Sequence, residues 1–280
     1  VPNGNHKPAS PKDRALGAEL RTIRNAAGLS LAAVCQVLEW KESTLSRLER
    51  GLRSLSPETV TALAVVYGLP GKRRDRLVAW AKEVPSLGWW DRPTPGVPSD
   101  LGALASYENE ATHRIDWSPG IVPGLLQSPA YIEAVMRESG IPERDIPARV
   151  DARRARQRVL LAGEADYTAL IGESAIRNPL CSGESLVTQL RHIVRLSQNA
   201  RMSIRVVDQP TSQSMSGWYL MQFAQGRPVV HIEHFKSATY LFDEEATPYI
   251  SLKRAIEKVA LSAQDTRDML EREIERALGG

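Results

Sequence analysis

Three glycines, Gly28, Gly51 and Gly68, cut residues 14–84 into short segments, each closing a run of apolar residues at helical spacing. Leu16, Leu20 and Ile23 form one face of a first helix. Ser30 caps a second, with Leu31, Val34 and Leu38 in step. After a turn at Glu39–Trp40–Lys41, a third helix runs to Arg50 with Leu45 and Leu48 facing inward. Ser56–Pro57–Glu58–Thr59 opens a fourth, with a serine cap, proline at the first helical position and an acid in the first turn. Val60, Leu63, Ala64 and Tyr67 follow in register, and a fifth helix spans about 71–83. Such short helices are stable only when packed on one another, so this part reads as a small bundle.

Charge separates this part from the rest. The 280-residue chain has a net charge of +3, which says little by itself. Residues 1–85 carry 14 Lys+Arg against 8 Asp+Glu, a balance of +6, and the remainder has a balance of −3. A basic first third predicts an anionic partner, nucleic acid first. No apolar run reaches the length of a membrane span. No charged-then-apolar leader opens the sequence, and Cys35 and Cys181 form no disulfide framework. A cytoplasmic protein without membrane association is predicted.

Composition also sets boundaries. Residues 1–13 hold three prolines and no periodicity, and read as a disordered tail. Residues 85–103 hold four prolines and three glycines, and read as a linker, with Trp89 and Trp90 expected to dock on one domain. Residues 104–280 are mixed. Helices are predicted at 104–115, 129–139, 143–161 and 184–198, and strands at 166–171, 203–207, 217–223 and 229–235. The C-terminal end is helical again. The fold class is α+β overall: an all-α five-helix domain over 14–84, then a larger α+β regulatory and partner-binding domain over 104–280.

The third helix carries the functional signal. Leu45 and Leu48 anchor it, while Glu42, Ser43, Ser46 and Arg47 project from the opposite face. A helix-turn-helix places such a face in the major groove. There Arg47 can fork onto a guanine, and Glu42, Ser43 and Ser46 complete the base contacts. Lys41, Thr44, Arg50 and Arg53 flank the groove as phosphate contacts. Residues 16–69 resemble the lambda-repressor-like helix-turn-helix of the XRE regulator family. The resemblance rests on Leu16–Arg21, Ala27–Gly28–Leu29–Ser30, Ser43–Gly51 and Leu63–Leu69. It implies a five-helix bundle that binds a double-stranded DNA operator, usually as a homodimer on inverted half-sites. It also implies that Arg24 and Glu49 pair inside the bundle. The chain departs from the family pattern at Leu31, where Gln is frequent, at Glu39, where Gly is usual, and at Lys41, where Ser or Thr usually caps.

Residues 107–278 resemble the large C-terminal domain of unknown function found in many actinobacterial regulators with such helix-turn-helices, WhiJ-like and antitoxin-like proteins among them. The resemblance rests on Tyr107–Glu108, Ile121–Tyr131, Arg153–Gln157, Gly217–Leu220 and Val229–Glu233. It implies a regulator often encoded beside a small partner protein. The segment with Pro123, Gly124, Leu125, Leu126, Gln127 and Tyr131 is either a partner or ligand region or a rigid corner, since Pro and Gly fix backbone geometry.

Other motifs carry less. Gly71–Lys72 lacks the remaining residues of a phosphate loop. His231 and Glu233 share a strand face that His234 does not, which predicts packing rather than a metal site. No nucleophile, base and orienting group stand at recognisable spacing, so no enzyme activity and no cofactor are predicted. The alternative to a transcriptional regulator is an antitoxin-like protein that mainly sequesters a small partner and autoregulates its operon.

Overall fold

A computed structural model describes residues 11–82, 96–97, 100–177, 180–181, 183–209, 216–224, 227–234, 238–242 and 244–279. Trp89 and Trp90 lie outside the described residues. The chain forms two compact units. One is built from the helices of the first 82 residues together with Gly102–Glu110. The other contains residues 96–97 and the chain from Ala111 onward.

The first unit holds α1 (Pro11–Ala26), α2 (Leu31–Leu38), α3 (Glu42–Glu49), α4 (Pro57–Val66), α5 (Gly71–Lys82) and most of α6 (Asp100–Glu110). Leu16, Leu20, Val34, Leu45, Val60 and Leu63 are completely buried at its centre. The three punctuating glycines all adopt positive φ, between 64° and 69°. Each ends its helix in the same way. The amide after the glycine donates back five residues: Leu29 to Arg24 O, Leu52 to Arg47 O and Leu69 to Ala64 O. Ser30 and Ser56 cap α2 and α4 through the amides of Ala33 and Thr59. α1 begins at Pro11, so it takes in three residues that composition assigns to the tail. Proline suits the first turn of a helix, and Asp13 is buried there.

The second unit is built on a mixed six-stranded sheet of order β3-β2-β1-β4-β5-β6, counted over the described residues. Its strands are β1 (His113–Ser118), β2 (Asp166–Gly172), β3 (Met202–Val207), β4 (Trp218–Gln222), β5 (Val229–Glu233) and β6 (Ala238–Phe242). β1, β2 and β3 are parallel, joined through α7 (Pro129–Glu138) and α8 (Ile146–Ala162), then α9 (Glu173–Arg177) and α10 (Gly183–Leu196). β4 turns back antiparallel beside β1 and starts a meander to β6. α11 (Pro248–Val259) brings Ile256 into the apolar layer of Ile115, Trp117, Leu170, Trp218, Leu220 and Val230. α12 (Ala263–Gly279) packs on α10 and β3.

The outer edge of β3 is covered by the α11–α12 connection. The Leu261 amide donates to Val206 O at 2.8 Å, and the Val206 amide donates to Thr266 Oγ1 at 3.0 Å. This removes one open sheet edge.

Several elements differ from the sequence reading: α6 begins at Asp100, inside the span read as linker, and α9 is not foreseen. Residues 113–115, placed at the end of a helix over 104–115, open β1 instead. In β1 the second face carries Arg114 and Asp116, so the strand lacks an apolar run. β6 has no counterpart in the sequence reading.

Candidate nucleic-acid interface

The helix-turn-helix is α2, the turn Glu39–Trp40–Lys41, and α3. α3 is seated by its apolar face, Leu45 and Leu48, and by an unusually close approach of α1. A Cβ on Gly17 would lie 2.4 Å from the Leu48 carbonyl oxygen, so only glycine lets the two backbones meet. Glu49, 4% exposed, completes the seat. Arg24 donates Nε to Glu49 Oε1 at 2.6 Å and Nη2 to Oε2 at 2.8 Å, with Nη1 on Leu29 O at 2.7 Å. Tyr67 OH donates to the same Oε1 at 3.2 Å. The hydrogen bond to Glu49 raises the Arg24 pKa. Burial, followed by the Glu49 charge, raises that of Tyr67. All three groups thus hold the end of α3 in one orientation.

The outward face follows from that seat. Lys41, Glu42, Ser43, Arg47, Arg50 and Arg53 are exposed, while Thr44 and Ser46 are half-buried. Among the described residues, these eight therefore lie on α3, its cap and the loop after it. Lys41 stands at the N-cap of α3, makes no side-chain cap and is exposed at the helix start. Glu39 has φ 54°, a left-handed conformation that costs a non-glycine residue about 1–2 kcal/mol. The turn retains the geometry that glycine would take without strain. On α5, Arg73 pairs with Glu19 at 3.1 Å and Arg74 with Asp75 at 3.3 Å. Part of the basic charge of Lys72–Arg76 is therefore locally balanced.

In the second unit, Pro123–Tyr131 form a buried corner whose polar groups are used on its own backbone. Gln127, 1% exposed, donates to Val122 O at 2.7 Å and accepts from Arg153 Nη1 at 2.6 Å. Gln157 donates to Gly124 O and Gln127 O. Gln189 bridges Leu126 O and the Ser128 amide. Tyr131 OH accepts from the Val122 amide. Leu125 and Leu126 are buried. Arg149 of α8 donates to Gly96 O at 2.8 Å, so two arginines of that helix serve backbone and side-chain acceptors within the unit.

In open sheets with parallel strands, ligands sit at the carboxyl ends where the strand order reverses. Here that point lies between β1 and β4, and close backbone approaches crowd the segment after β1 from both neighbouring strands. A Cβ on Gly172 would lie 2.2 Å from Pro119 O, and one on Gly217 would lie 3.0 Å from Trp117 O. Ser174 Oγ also donates to Pro119 O, at 2.6 Å. His231, considered above with Glu233, lies opposite Tyr240 with ring centroids 5.0 Å apart. No described helix is long and apolar enough to cross a membrane.

Gly17 and Asp13 are the functional-unit residues that sequence reasoning passed over. A glycine in the middle of an otherwise periodic helix is the signal that could have identified Gly17. Asp13 Oδ1 accepts from the Leu55 amide at 3.1 Å and from Ser54 Oγ at 3.3 Å, fastening the loop behind α3. Its only sequence signal is an acid in a first turn.

Comparison with protein families finds two matches along the chain. A helix-turn-helix domain model matches residues 15–77. A model described as a domain of unknown function, DUF5753, matches residues 101–272. No curated protein and no solved structure matches the chain.

Proposed function

The chain belongs to the DUF5753 family and carries a helix-turn-helix domain ahead of it; on that premise we propose that it is a sequence-specific DNA-binding transcriptional regulator. The carrying observation is the division of α3. One face is locked by Leu45, Leu48 and the Arg24–Glu49–Tyr67 group. The other presents Glu42, Ser43 and Arg47 to solvent, with Ser46 partly covered. A rigid seat and a polar outer face are what base readout in a major groove requires.

In this reading Glu42, Ser43, Ser46 and Arg47 contact bases, and Lys41, Thr44, Arg50 and Arg53 contact phosphates. The protein acts in the cytoplasm as a homodimer on inverted half-sites about one helical turn apart. The C-terminal domain biases operator affinity by recognising a small protein or a ligand. Its corner at Pro123–Tyr131 serves as a rigid frame for that recognition.

The test is selection of operator DNA by the full-length protein, followed by footprinting and binding at fixed salt. Arg47→Ala is expected to weaken operator binding by about 1–3 kcal/mol and relax the base preference at one position. Unchanged affinity and an unchanged preference would remove α3 from the role of reading helix.

A further inference from the structure

The two edges of the six-stranded sheet differ. The outer edge of β3 is covered by the α11–α12 connection. Among the described residues, no strand lies beyond β6. Sheet edges are ordinarily guarded by charged residues, proline or a bulge. β6, Ala238–Thr239–Tyr240–Leu241–Phe242, contains no charge and no proline, and it pairs with β5 without a break in register.

The ladder fixes where the β6 backbone points. The Asp166 amide donates to Thr112 O, so His113 turns its own backbone groups toward β4. Alternation through the registers then bonds Leu241 to Val230 and Thr239 to Ile232. The backbone groups of Ala238, Tyr240 and Phe242 are thereby directed away from β5. Neighbouring rings order the side chains of this edge. Tyr240 lies 5.0 Å from the His231 ring and stacks at 9° on Phe242, 6.1 Å away. Both Tyr240 and Phe242 are half-buried, and Thr239 is exposed.

The sequence around β6 is complementary to itself. Lys236 stands four residues before Tyr240 and Glu244 four residues after it; Ala238 and Phe242 stand two residues to either side. An antiparallel second copy with Tyr240 on the two-fold axis therefore sets positive against negative and small against large. A parallel copy sets like against like.

We propose that β6 is the contact between two copies of this chain, joined antiparallel about Tyr240 into one continuous sheet. This gives the homodimer of the DNA-binding reading its interface, and the contact itself needs no DNA. The pairing is isologous, so it covers both edges at once and closes at two copies. Main-chain bonds supply affinity and side chains set the register. Rings already ordered in the single chain lower the cost of association.

The experiment uses the full chain without DNA. Sedimentation equilibrium is expected to show dimer formation by about 100 μM, since a contact of this size is weak. Tyr240→Pro removes an amide that points away from β5, where an edge strand tolerates proline. It is expected to leave the circular dichroism of the folded protein and abolish the dimer. Glu244→Lys is expected to weaken the dimer several-fold at low salt, and Lys236→Glu added to it to restore the dimer. The two positions lie at opposite ends of one strand, so this rescue passes between copies. Tyr240→Cys, in a chain also carrying Cys181→Ser, is expected to crosslink on mild oxidation. Opposed Cα atoms in such a pair lie about 5.5 Å apart, within disulfide reach. Val65→Cys, exposed on α4, is expected not to crosslink.

A chain that stays monomeric at that concentration would overturn the proposal. So would a dimer that survives Tyr240→Pro, a charge reversal without rescue, or crosslinking through Val65→Cys and not Tyr240→Cys. A different protein bound along β6 in place of a second copy would also overturn it. If no operator were found, the DNA-binding reading would fall, and these results would still decide the β6 contact.

Discussion

Glu49 is a carboxylate that α3 buries in order to be oriented. Removing it would strand the Arg24 guanidinium, 7% exposed, without its principal partner. Glu49→Ala is therefore expected to cost about 3–5 kcal/mol in denaturant unfolding of the N-terminal unit. Gly51 carries a double constraint, positive φ and contact with Arg14. Gly51→Ala should cost at least about 1–3 kcal/mol and loosen the loop that bears Arg53. Glu39 works in the opposite sense. Glu39→Gly is expected to stabilise the turn by on the order of 0.5–1 kcal/mol, the relief of left-handed strain less the entropy of an added glycine. A fourth residue-scale effect depends on pH. Burial, then Lys253, lowers the pKa of His113, whose Nε2 lies 3.0 Å from Thr168 Oγ1. Burial and then Arg195 lower that of His192. The unfolded chain takes up these protons more readily, so stability is full above about pH 6.5 and declines as pH falls toward the depressed folded values. The thermal midpoint of the C-terminal unit should drop between pH 7 and pH 5, and His113→Gln should flatten part of that decline.

At the scale of elements, close backbone approach is the recurring device. Gly17 brings α1 onto α3, and Gly172 brings the end of β2 under the Pro119 loop. A methyl group at 172 would meet a carbonyl oxygen, so Gly172→Ala is expected to lower the stability of the C-terminal unit by at least about 1–3 kcal/mol. Calorimetry should show this loss without a matching shift in the N-terminal unit. Elements with local signals were legible in the sequence. The caps at Ser30 and Ser56 and the stops at Gly28, Gly51 and Gly68 gave α1–α4, because each signal acts within one turn. β2 was legible from its run of apolar residues, buried on both faces. β1 was not, because its second face carries the charged Arg114 and Asp116, which find their surroundings only in the folded sheet. The contacts of Asp13 were hidden for a similar reason: its partners lie about forty residues away. The Arg24–Glu49 pair came from family resemblance, since no spacing rule joins positions 25 apart.

For the whole molecule, the uneven charge gains a more specific meaning. Of the basic excess in the first 85 residues, some on α5 is paired within the bundle, while Lys41, Arg47, Arg50 and Arg53 remain exposed around α3. The C-terminal part has a slight acidic balance and carries the buried polar corner around Gln127. The central claim is that α3 reads base edges while its flanks hold phosphates, and salt dependence separates these roles. The decisive measurement is operator affinity against salt concentration for the unaltered protein, Arg47→Ala and Arg53→Ala. Losing a phosphate contact should lower the magnitude of the log–log slope by about 1 and weaken all sequences alike. That result is expected for Arg53→Ala, and for Arg47→Ala a nearly unchanged slope with a loss confined to the operator. Equal losses on operator and random DNA for both variants would contradict base reading by α3.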